Sequence, residues 1–334
     1  MNQQGPETVM QLMQGVQASG ILKAGIQLGV FTKISEGNAT APAIARGIDC
    51  PERGTRILVD ALAALGLLQK NGATYALAPV SEQFLVRGKP TYMGDLSLVF
   101  TSSMFFSSSD KLAEAVRHDG TVMAEHAETP RHSFWEEFAR STAAMAGPAA
   151  SALDGLLAPW FAGRQKVRVL DVAAGSGLYG FTLASRPNVH LTSLDWPNVL
   201  VETRRWAQRA GVDSTRVRYI EGNLFDVDYQ GPYDLILLSH VYHHFDAPTC
   251  ASLTKKVAAS LAPGGRIAVQ DFLYDAELKN PMGALFALSM LMWTRKGQTY
   301  SVEDYAGWFT GAGLKPAGVH PGAGLPTSFL FADK

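Results

Sequence analysis

The chain has 334 residues, which is longer than one ordinary core requires and predicts two domains or more. Hydrophobic residues make up 47% and charged residues 18%, which is typical of a well-packed globular protein with large apolar interfaces. The formal net charge is −1, so the chain lacks the basic excess that neutralises a phosphate backbone, and we expect no nucleic-acid partner.

Cysteine usage and hydropathy predict a soluble cytoplasmic protein without membrane contact. Cys50 and Cys250 lie far apart and lack metal-like spacing, which fits a reducing compartment. The N-terminus lacks the basic and apolar regions of a signal peptide. The apolar stretch Met282–Trp293 has about twelve residues, too few to span roughly 30 Å of hydrocarbon, and it predicts a buried helix.

The first hundred residues read as helices followed by a hairpin. Residues 8–34 follow the helical period, and two more helices are predicted at Ala41–Arg46 and Glu52–Leu65. A β-hairpin that turns at Asn71–Gly72 follows. Helix–turn–helix followed by a hairpin is a winged-helix arrangement.

A winged helix can bind DNA, so a DNA-binding role is one alternative for this domain. The helix that would enter the groove carries Arg53 and Arg56 but also Glu52 and Asp60. Its second half is almost wholly apolar, as in a helix buried in an interface. Dimerisation or substrate capping is therefore the preferred role, and we assign residues 1–105 to an N-terminal dimerisation domain.

Residues 106–165 are predicted to form a helical connector that contributes to an acceptor pocket. Helices are expected at Ser109–Arg117 and Ser133–Ala146, in a region dense in aromatic and methionine side chains. Core packing explains most of these side chains. Met104, Phe105 and Phe106 are candidates for lining an acceptor pocket at the domain junction, where small-molecule sites tend to form, and Met145 is a further pocket candidate.

From residue 166 to residue 334 the sequence pattern changes, and short runs rich in β-branched residues alternate with predicted helices. Five successive strands are predicted by the segments VRVLDVAAGSG, which includes the glycine-rich turn, VHLTSLDWP, VRYIEGNLF, YDLILLSHVYHHF, which includes an exit loop, and RIAVQDFLYD. Such βαβα alternation predicts an α/β domain with a doubly wound, mainly parallel sheet.

A glycine-rich turn follows the first of these strands. Gly175 and Gly177 allow close backbone approach to a ligand, and Asp195 ends the next strand about 20 residues later, where it can accept hydrogen bonds from ribose hydroxyls. Gly180 completes a dinucleotide-like spacing. NAD is disfavoured because Asp171 precedes the glycines, where it could meet a cationic amino group, and because no second catalytic domain follows. A plain tight turn is the remaining alternative.

Taken together, these segments resemble the class I methyltransferases, and specifically the two-domain small-molecule O-methyltransferases of plants and bacteria. The likeness rests on ordered segments that include RILVDALAALGLLQKNGATYALAP, LDVAAGSG, LDWPNVL, EGNLF, HHFDAPTC and LAPGGRIAVQDF. It implies a Rossmann-like seven-stranded sheet and a homodimer formed through the N-terminal domain. It also implies S-adenosyl-L-methionine as cofactor, with S-adenosyl-L-homocysteine as product.

The resemblance also places the cofactor. The glycines would pass beneath its methionine portion and Asp195 would bind its ribose, while Asn223 stands where the family has an acid near the adenine. The implied cofactor-binding residues are Asp171, Gly175, Gly177, Asp195, Trp196, Asn223, Leu224, Phe225 and Ser239.

The segment SHVYHHFDAPTC supplies the catalytic candidate. The resemblance puts His243 on the family's base position and His244 on that of an acid. A phenol with a pKa near 10 benefits from such a base, and histidine is neutral enough at physiological pH to serve. His240, His243 and His244 could instead bind zinc, but no other residue completes an obvious site, so we expect no metal. A purely structural role for all three is a further alternative.

Asp271, at the end of the fifth strand, matches the family's acid that orients the histidine. The family's second acid is replaced by Thr299, while Glu303 and Asp304 are expected to begin the next helix. The remaining candidates for the acceptor pocket are His240, His244, Phe286, Met290 and Trp293.

These features predict O-methylation of a small aromatic or polyketide-like hydroxyl, with His243 as general base oriented by Asp271. C- or N-methylation on the same scaffold is the nearest alternative, because there proximity to the sulfonium carries most of the rate. A non-methylating enzyme that binds the same cofactor, such as a hydroxylase, decarboxylase or pericyclase, is a second. A winged-helix transcription factor is a third, which the charge disfavours.

Overall fold

The computed structural model describes residues 5–322 and 324–334. The chain divides into two compact units, Met1–Phe106 and Ser107–Lys334. Within the described ranges, no helix combines the length and the apolar character that crossing a membrane requires.

The first unit is mostly helical. Its elements are α1 (Pro6–Met13), α2 (Gly15–Gln27), α3 (Val30–Ser35), α4 (Ala41–Gly47), α5 (Glu52–Ala64), β1 (Leu68–Asn71), β2 (Thr74–Leu77), α6 (Pro79–Phe84), α7 (Leu96–Phe100) and the start of α8 (Ser103–Asp110). The helical pattern over residues 8–34 is divided among three helices. Gly29 separates α2 from α3 because it adopts a left-handed conformation with φ of +75°, which glycine takes without steric cost.

The predicted hairpin is present in this unit. Strands β1 and β2 pair antiparallel, with Leu68 opposite Leu77 and Asn71 opposite Thr74, and Gly72 turns the chain with φ of +61°. Leu68 and Tyr75 are buried against the core that α2 to α5 form. The hairpin is thus held by one apolar face packed on the helices.

The second unit begins with helices and continues as an alternating α/β domain. Its helices are α9 (Leu112–His118), α10 (Phe134–Ser141), α11 (Ala143–Phe161), α12 (Leu178–Ala184), α13 (Pro197–Arg209), α14 (Ala247–Ala259), α15 (Pro281–Trp293) and α16 (Val302–Gly311). Its strands are β3 (Val167–Val172), β4 (Val189–Asp195), β5 (Val217–Glu221), β6 (Tyr233–Ser239), β7 (Leu261–Asp271), β8 (Lys315–Pro321) and β9 (Ser328–Asp333).

The seven strands form one sheet in the order β5-β4-β3-β6-β7-β9-β8. The first five run parallel, and β9 pairs antiparallel with both β7 and β8. The prediction of a mainly parallel α/β sheet is therefore confirmed. Since the strand order reverses between β3 and β6, this part of the sheet edge is the switch point where open α/β sheets bind ligands.

Alternate strand residues are buried on opposite faces of the sheet. Leu170 of β3 and Ile236 of β6 pack on one face, and Val169 and Leu235 pack on the other. Both faces are covered by helices, which explains why these strands read as continuous apolar runs. The polar residues that end the strands therefore gather at the carboxyl edge.

The stretch predicted as a buried helix is only half buried. In α15, Met290 and Trp293 are 2% and 8% exposed, whereas Leu285 and Leu288 are 59% and 38% exposed in the single chain. The helix is apolar on every side, so its sequence does not reveal which side packs inward.

Candidate active site

The glycine turn between β3 and α12 leaves room for a ligand. Gly175 and Gly177 adopt φ of +55° and +77°. A Cβ atom on Gly177 would lie 2.5 Å from the Phe181 ring, whereas one on Gly175 would meet nothing within 4 Å. Thr203 fixes the turn, because its hydroxyl donates a hydrogen bond of 2.7 Å to the Gly175 carbonyl. Gly175 therefore faces open space from a rigid backbone.

Asp195 lies beside this turn at the end of β4. Its Oδ2 accepts a hydrogen bond from Gly175 N–H at 2.8 Å, and its Oδ1 accepts one from Trp196 N–H at 2.7 Å. Burial raises the pKa of this carboxyl to about 6, although both backbone donors act to lower it. The side chain is thus a fixed acceptor that gains from further donors.

Asp171, one strand away, carries an even more perturbed carboxyl. Burial, with a smaller contribution from the Asp195 charge, raises its pKa to about 8, and a hydrogen bond of 3.1 Å from Gly180 N–H offsets this only in part. A cation placed nearby would favour the ionised form. Two buried carboxyls beside an open glycine turn fit a ligand that has a ribose diol and an ammonium group, as S-adenosylmethionine does.

The segment after β5 forms a tight local turn. The Asn223 amide donates to Asp226 at 2.8 Å, and its oxygen accepts from Phe225 N–H at 3.0 Å. Leu224 is partly buried, and the Phe225 ring lies 4.9 Å from that of Phe245. Asn223 thus shapes the backbone turn, with its amide already engaged inside it.

The end of β6 leads directly to the histidines. Ser239 is the last residue of β6 and lies opposite Gln270 of β7. His240 follows with φ of +60°, a rare conformation for a residue other than glycine, and its N–H donates to the Gln270 carbonyl at 2.8 Å. A short 3₁₀ turn, Tyr242–His244, comes next and places His243 against β7.

His243 and Asp271 form a buried pair. His243 Nδ1 is hydrogen-bonded to Asp271 Oδ1, and the two residues are 3% and 0% exposed. Phe272 N–H also donates to Oδ1, at 2.8 Å, and the Tyr305 hydroxyl donates to Oδ2 at 2.9 Å. Burial alone would raise the pKa of the Asp271 carboxyl, but His243, His240 and the Tyr305 hydroxyl together hold that pKa below its usual value.

The two neighbouring histidines are neutral. Burial lowers the pKa of His240 to about 4 and that of His244 to about 3, with a smaller contribution from His243 in each case. The His244 Nδ1 lies 3.2 Å from the Val241 carbonyl. The surroundings of His243 therefore add no positive charge at physiological pH.

His240, His243 and Asp271 also form a cluster of ligand-type atoms. One such atom from each lies within 4.8 Å of the others, and His244 is not among them. Ligand atoms around a tetrahedral zinc lie about 3.3 Å apart. Because Asp271 is already bonded to His243 and to Tyr305, a metal would have to break the pair. The arrangement fits a histidine–carboxylate pair better than a metal centre.

Aromatic rings surround the pair. The Phe286 ring of α15 lies 4.8 Å from that of His243 and stacks on Phe272 at 3.9 Å. The Trp135 ring of α10 lies 5.3 Å from that of His244. A flat, uncharged ligand would find edges and faces of aromatic rings on these sides.

The other predicted pocket residues are more dispersed. Met104 and Phe105 belong to α8 within the first unit, where the Phe105 ring lies 5.6 Å from that of Phe100. Met145 is half-buried near the start of α11, and Met290 is buried in α15. The Trp293 indole donates to the Ser108 hydroxyl at 2.8 Å.

Thr299, at the position of the family's second acid, is engaged elsewhere. Its hydroxyl donates to the Gly283 carbonyl at 3.1 Å, while Tyr305 of α16 occupies the second oxygen of Asp271. Asp304, expected to begin the next helix, lies in the first turn of α16 and forms a capping box with Ser301. The sequence alone does not predict that Tyr305, Thr203 and Trp135 lie at this site. Their positions carry no local motif, since each is defined by a contact with a distant segment.

Comparison with known proteins agrees with this geometry. The family model of the O-methyltransferase domain matches residues 161–315, and that of the O-methyltransferase dimerisation domain matches residues 10–87. The chain is 26% identical to 3-hydroxy-5-methyl-1-naphthoate 3-O-methyltransferase of Streptomyces sahachiroi, over 92% of this chain and 89% of that protein. It is 28% identical to acetylserotonin O-methyltransferase of Mus musculus, over 92% and 83% of the two chains.

Solved structures share the whole architecture. A crystal structure assigned to the O-methyltransferases, from Nostoc punctiforme, superposes with a TM-score of 0.93 and 32% identity over 99% of both chains. Human N-acetylserotonin methyltransferase, solved in complex with S-adenosylmethionine, shares the fold with a TM-score of 0.82 at 22% identity, over 100% of this chain and 99% of that one. The chain belongs to the two-domain class I S-adenosylmethionine-dependent O-methyltransferases.

Proposed function

We propose that this enzyme methylates a hydroxyl group of a small aromatic acceptor, with His243 as the general base and Asp271 as its orienting partner. The observation that carries the proposal is the buried His243–Asp271 pair at the carboxyl edge of the sheet. A hydrogen bond from Nδ1 to the carboxylate leaves Nε2 unprotonated and able to accept the acceptor's proton.

S-adenosylmethionine supplies the electrophilic methyl group when it is bound. We assign its ribose to Asp195, which is held by two backbone N–H groups, and its amino group to Asp171. We assign its methionine portion to the backbone at Gly175 and Gly177, and its adenine to the turn that Asn223 and Leu224 form. His243 then takes the hydroxyl proton as the acceptor oxygen attacks, and Asp271 stabilises the imidazolium.

The acceptor class follows from charge and shape around the base. Phe286, Phe272 and Trp135 present aromatic surface near the histidines, and the low pKa values of His240 and His244 keep both side chains neutral. Such a wall favours a flat aromatic ring as the acceptor. Two relatives are named for a naphthoate and for acetylserotonin, both aromatic, which supports the same class.

Substitution of the base tests this proposal. We expect His243→Ala to lower kcat for a phenolic acceptor by roughly 10²–10⁴-fold while leaving the affinity for S-adenosylhomocysteine nearly intact. His190→Ala, at the amino end of β4 away from the site, serves as the matched control and should keep full rate. A His243→Ala enzyme with the wild-type rate would overturn the assignment of the base.

We further propose that the enzyme is a homodimer formed through its N-terminal unit. Residues 10–87 match a dimerisation domain, and α1 exposes the apolar side chains of Val9, Met10, Leu12 and Met13 in the single chain. Exposed apolar surface of this kind is typical of an interface. Sedimentation at micromolar concentration should give twice the chain mass of 35.9 kDa, and a single-chain mass would contradict the proposal.

A further inference from the structure

Tyr305 is a buried hydroxyl aimed at the charged end of the His243–Asp271 pair. Its side chain is 0% exposed, and its hydroxyl donates to Asp271 Oδ2 at 2.9 Å. The residue lies 34 positions after Asp271, on α16. Burial and the adjacent Asp271 charge raise the pKa of the Tyr305 phenol well above its usual value, so the proton stays on the tyrosine.

The tyrosine is itself fixed by its neighbours. Its ring packs against Tyr242 at 5.3 Å, Trp308 at 5.1 Å and Phe309 at 6.3 Å, all between ring centroids. A hydroxyl held this way cannot follow the carboxylate if Asp271 rotates. Its position therefore selects one orientation of Asp271, in which Oδ1 faces His243.

We infer that Tyr305 is a positioning residue, which holds the Asp271 carboxylate so that His243 presents an unprotonated Nε2 to the acceptor. The inference rests on the proposed function, since it assumes that His243 is the base. Asp271 Oδ1 accepts from His243 and Phe272, and Oδ2 accepts from Tyr305, so three donors on two oxygens fix the carboxylate plane.

The hydroxyl also moderates the carboxylate's charge. By donating to Oδ2 it draws negative charge away from Oδ1, which weakens the stabilisation of a protonated His243. Removal of this donor should strengthen that stabilisation. The acid limb of the pH–rate profile then moves upward, an effect that a purely structural tyrosine would not have.

Tyr305→Phe in the full-length enzyme provides the first test. We expect kcat to fall roughly three- to tenfold and the acid limb of kcat to move to higher pH, with the KM for S-adenosylmethionine unchanged. Tyr233→Phe is the matched control, because it removes the hydroxyl of another buried tyrosine, which donates to the Tyr229 carbonyl and not to Asp271. A Tyr305→Phe enzyme with wild-type kcat and an unmoved acid limb would overturn the inference.

A second substitution works in the opposite direction and keeps the packing. 3-Fluorotyrosine introduced at position 305 is a stronger hydrogen-bond donor than tyrosine, so the acid limb should move to lower pH. This readout applies even if the phenylalanine variant folds poorly. An upward shift or none with the fluorinated residue contradicts the inference.

A double-mutant cycle separates this inference from the proposed function. If Tyr305 acts through Asp271, the effect of Tyr305→Phe should disappear in an Asp271→Asn background. An undiminished effect there would refute the positioning role while leaving the base assignment intact. Full activity of His243→Ala would refute the base assignment instead, whatever the tyrosine variants do.

Discussion

Two groups of buried carboxyls at the carboxyl edge of the sheet differ in what stabilises their charge. Beside the glycine turn, burial raises the pKa of Asp171 to about 8 and that of Asp195 to about 6, because only backbone N–H groups oppose it. At the end of β7, His243, His240 and Tyr305 outweigh burial and hold the pKa of Asp271 below its usual value. In the proposed function, a ligand's donors and cation complete the first group, whereas side chains of the enzyme itself stabilise the second.

The difference in charge stabilisation indicates a role in binding for Asp171 and Asp195 and a role in the chemical step for Asp271. A carboxyl whose ionisation is unfavourable until a ligand arrives couples binding to charge, as a cofactor site requires. A carboxylate that is already ionised and held by three donors can orient a base before the acceptor arrives. Changes in the first group should therefore affect binding, and changes in the second should affect the chemical step.

Asp271→Asn gives the largest expected effect. The amide can donate to His243 Nδ1, which forces the proton onto Nε2 and removes the base, so kcat should fall by about 10²–10⁴-fold. The Kd for S-adenosylhomocysteine, measured by calorimetry, should stay within about twofold of the wild-type value. A large loss of cofactor affinity would contradict the assignment of Asp271 to the chemical step rather than to cofactor binding.

Asp195→Ala should affect binding first. Loss of the carboxylate removes the acceptor assigned to the ribose and frees two backbone donors, so the Kd for S-adenosylhomocysteine should rise about tenfold or more. Asp213→Ala, at an exposed turn before β5, is the control. If Asp195→Ala lowered only kcat with Kd unchanged, the ribose assignment would be wrong.

Gly177→Ala tests whether the glycine turn is tightly packed. Both Gly177 and Gly211 adopt left-handed backbone, so alanine at either should cost about 1–2 kcal/mol of unfolding free energy. Only at Gly177 would the new methyl group meet the Phe181 ring and Thr203, which adds about 1–3 kcal/mol. Urea unfolding of both variants measures the gap, and equal losses would count against the packed turn.

The effect of Asp171→Asn should be visible only as a pH dependence of stability, measured without cofactor. The folded enzyme keeps the Asp171 proton up to about pH 8, while the unfolded chain releases it near the ordinary aspartate pKa of 3.8. The wild type should thus lose stability relative to Asp171→Asn as pH rises between these limits, by about 1.4 kcal/mol for each pH unit. A stability gap between the wild type and Asp171→Asn that stays constant with pH would refute the raised pKa.

Much of the second unit could be predicted because its signals are local. Apolar runs that end in Asp171, Asp195 and Asp271 placed the strands, and the glycine spacing placed the turn. The pair of His243 and Asp271 was expected from the resemblance alone, because residues 28 positions apart meet only through the sheet register.

Other features depend on packing that no local pattern encodes. Tyr305 reaches Asp271 because α16 lies against β7's end, and nothing in the segment VEDY indicates this. The expected single helix at Ser133–Ala146 is two helices that meet at Thr142, whose hydroxyl bonds back to the Phe138 carbonyl. The apolar sequence of α15 likewise hides that Leu285 is exposed.

In the proposed mechanism, His243 removes a proton from the acceptor hydroxyl during methyl transfer. Rates measured at neutral pH with a series of phenols whose pKa runs from about 7 to about 10 test it most directly. The wild-type enzyme should respond only weakly to acceptor pKa, whereas His243→Ala should be slow with the least acidic phenols and recover with those already ionised. The same dependence on acceptor pKa in both enzymes would contradict the claim.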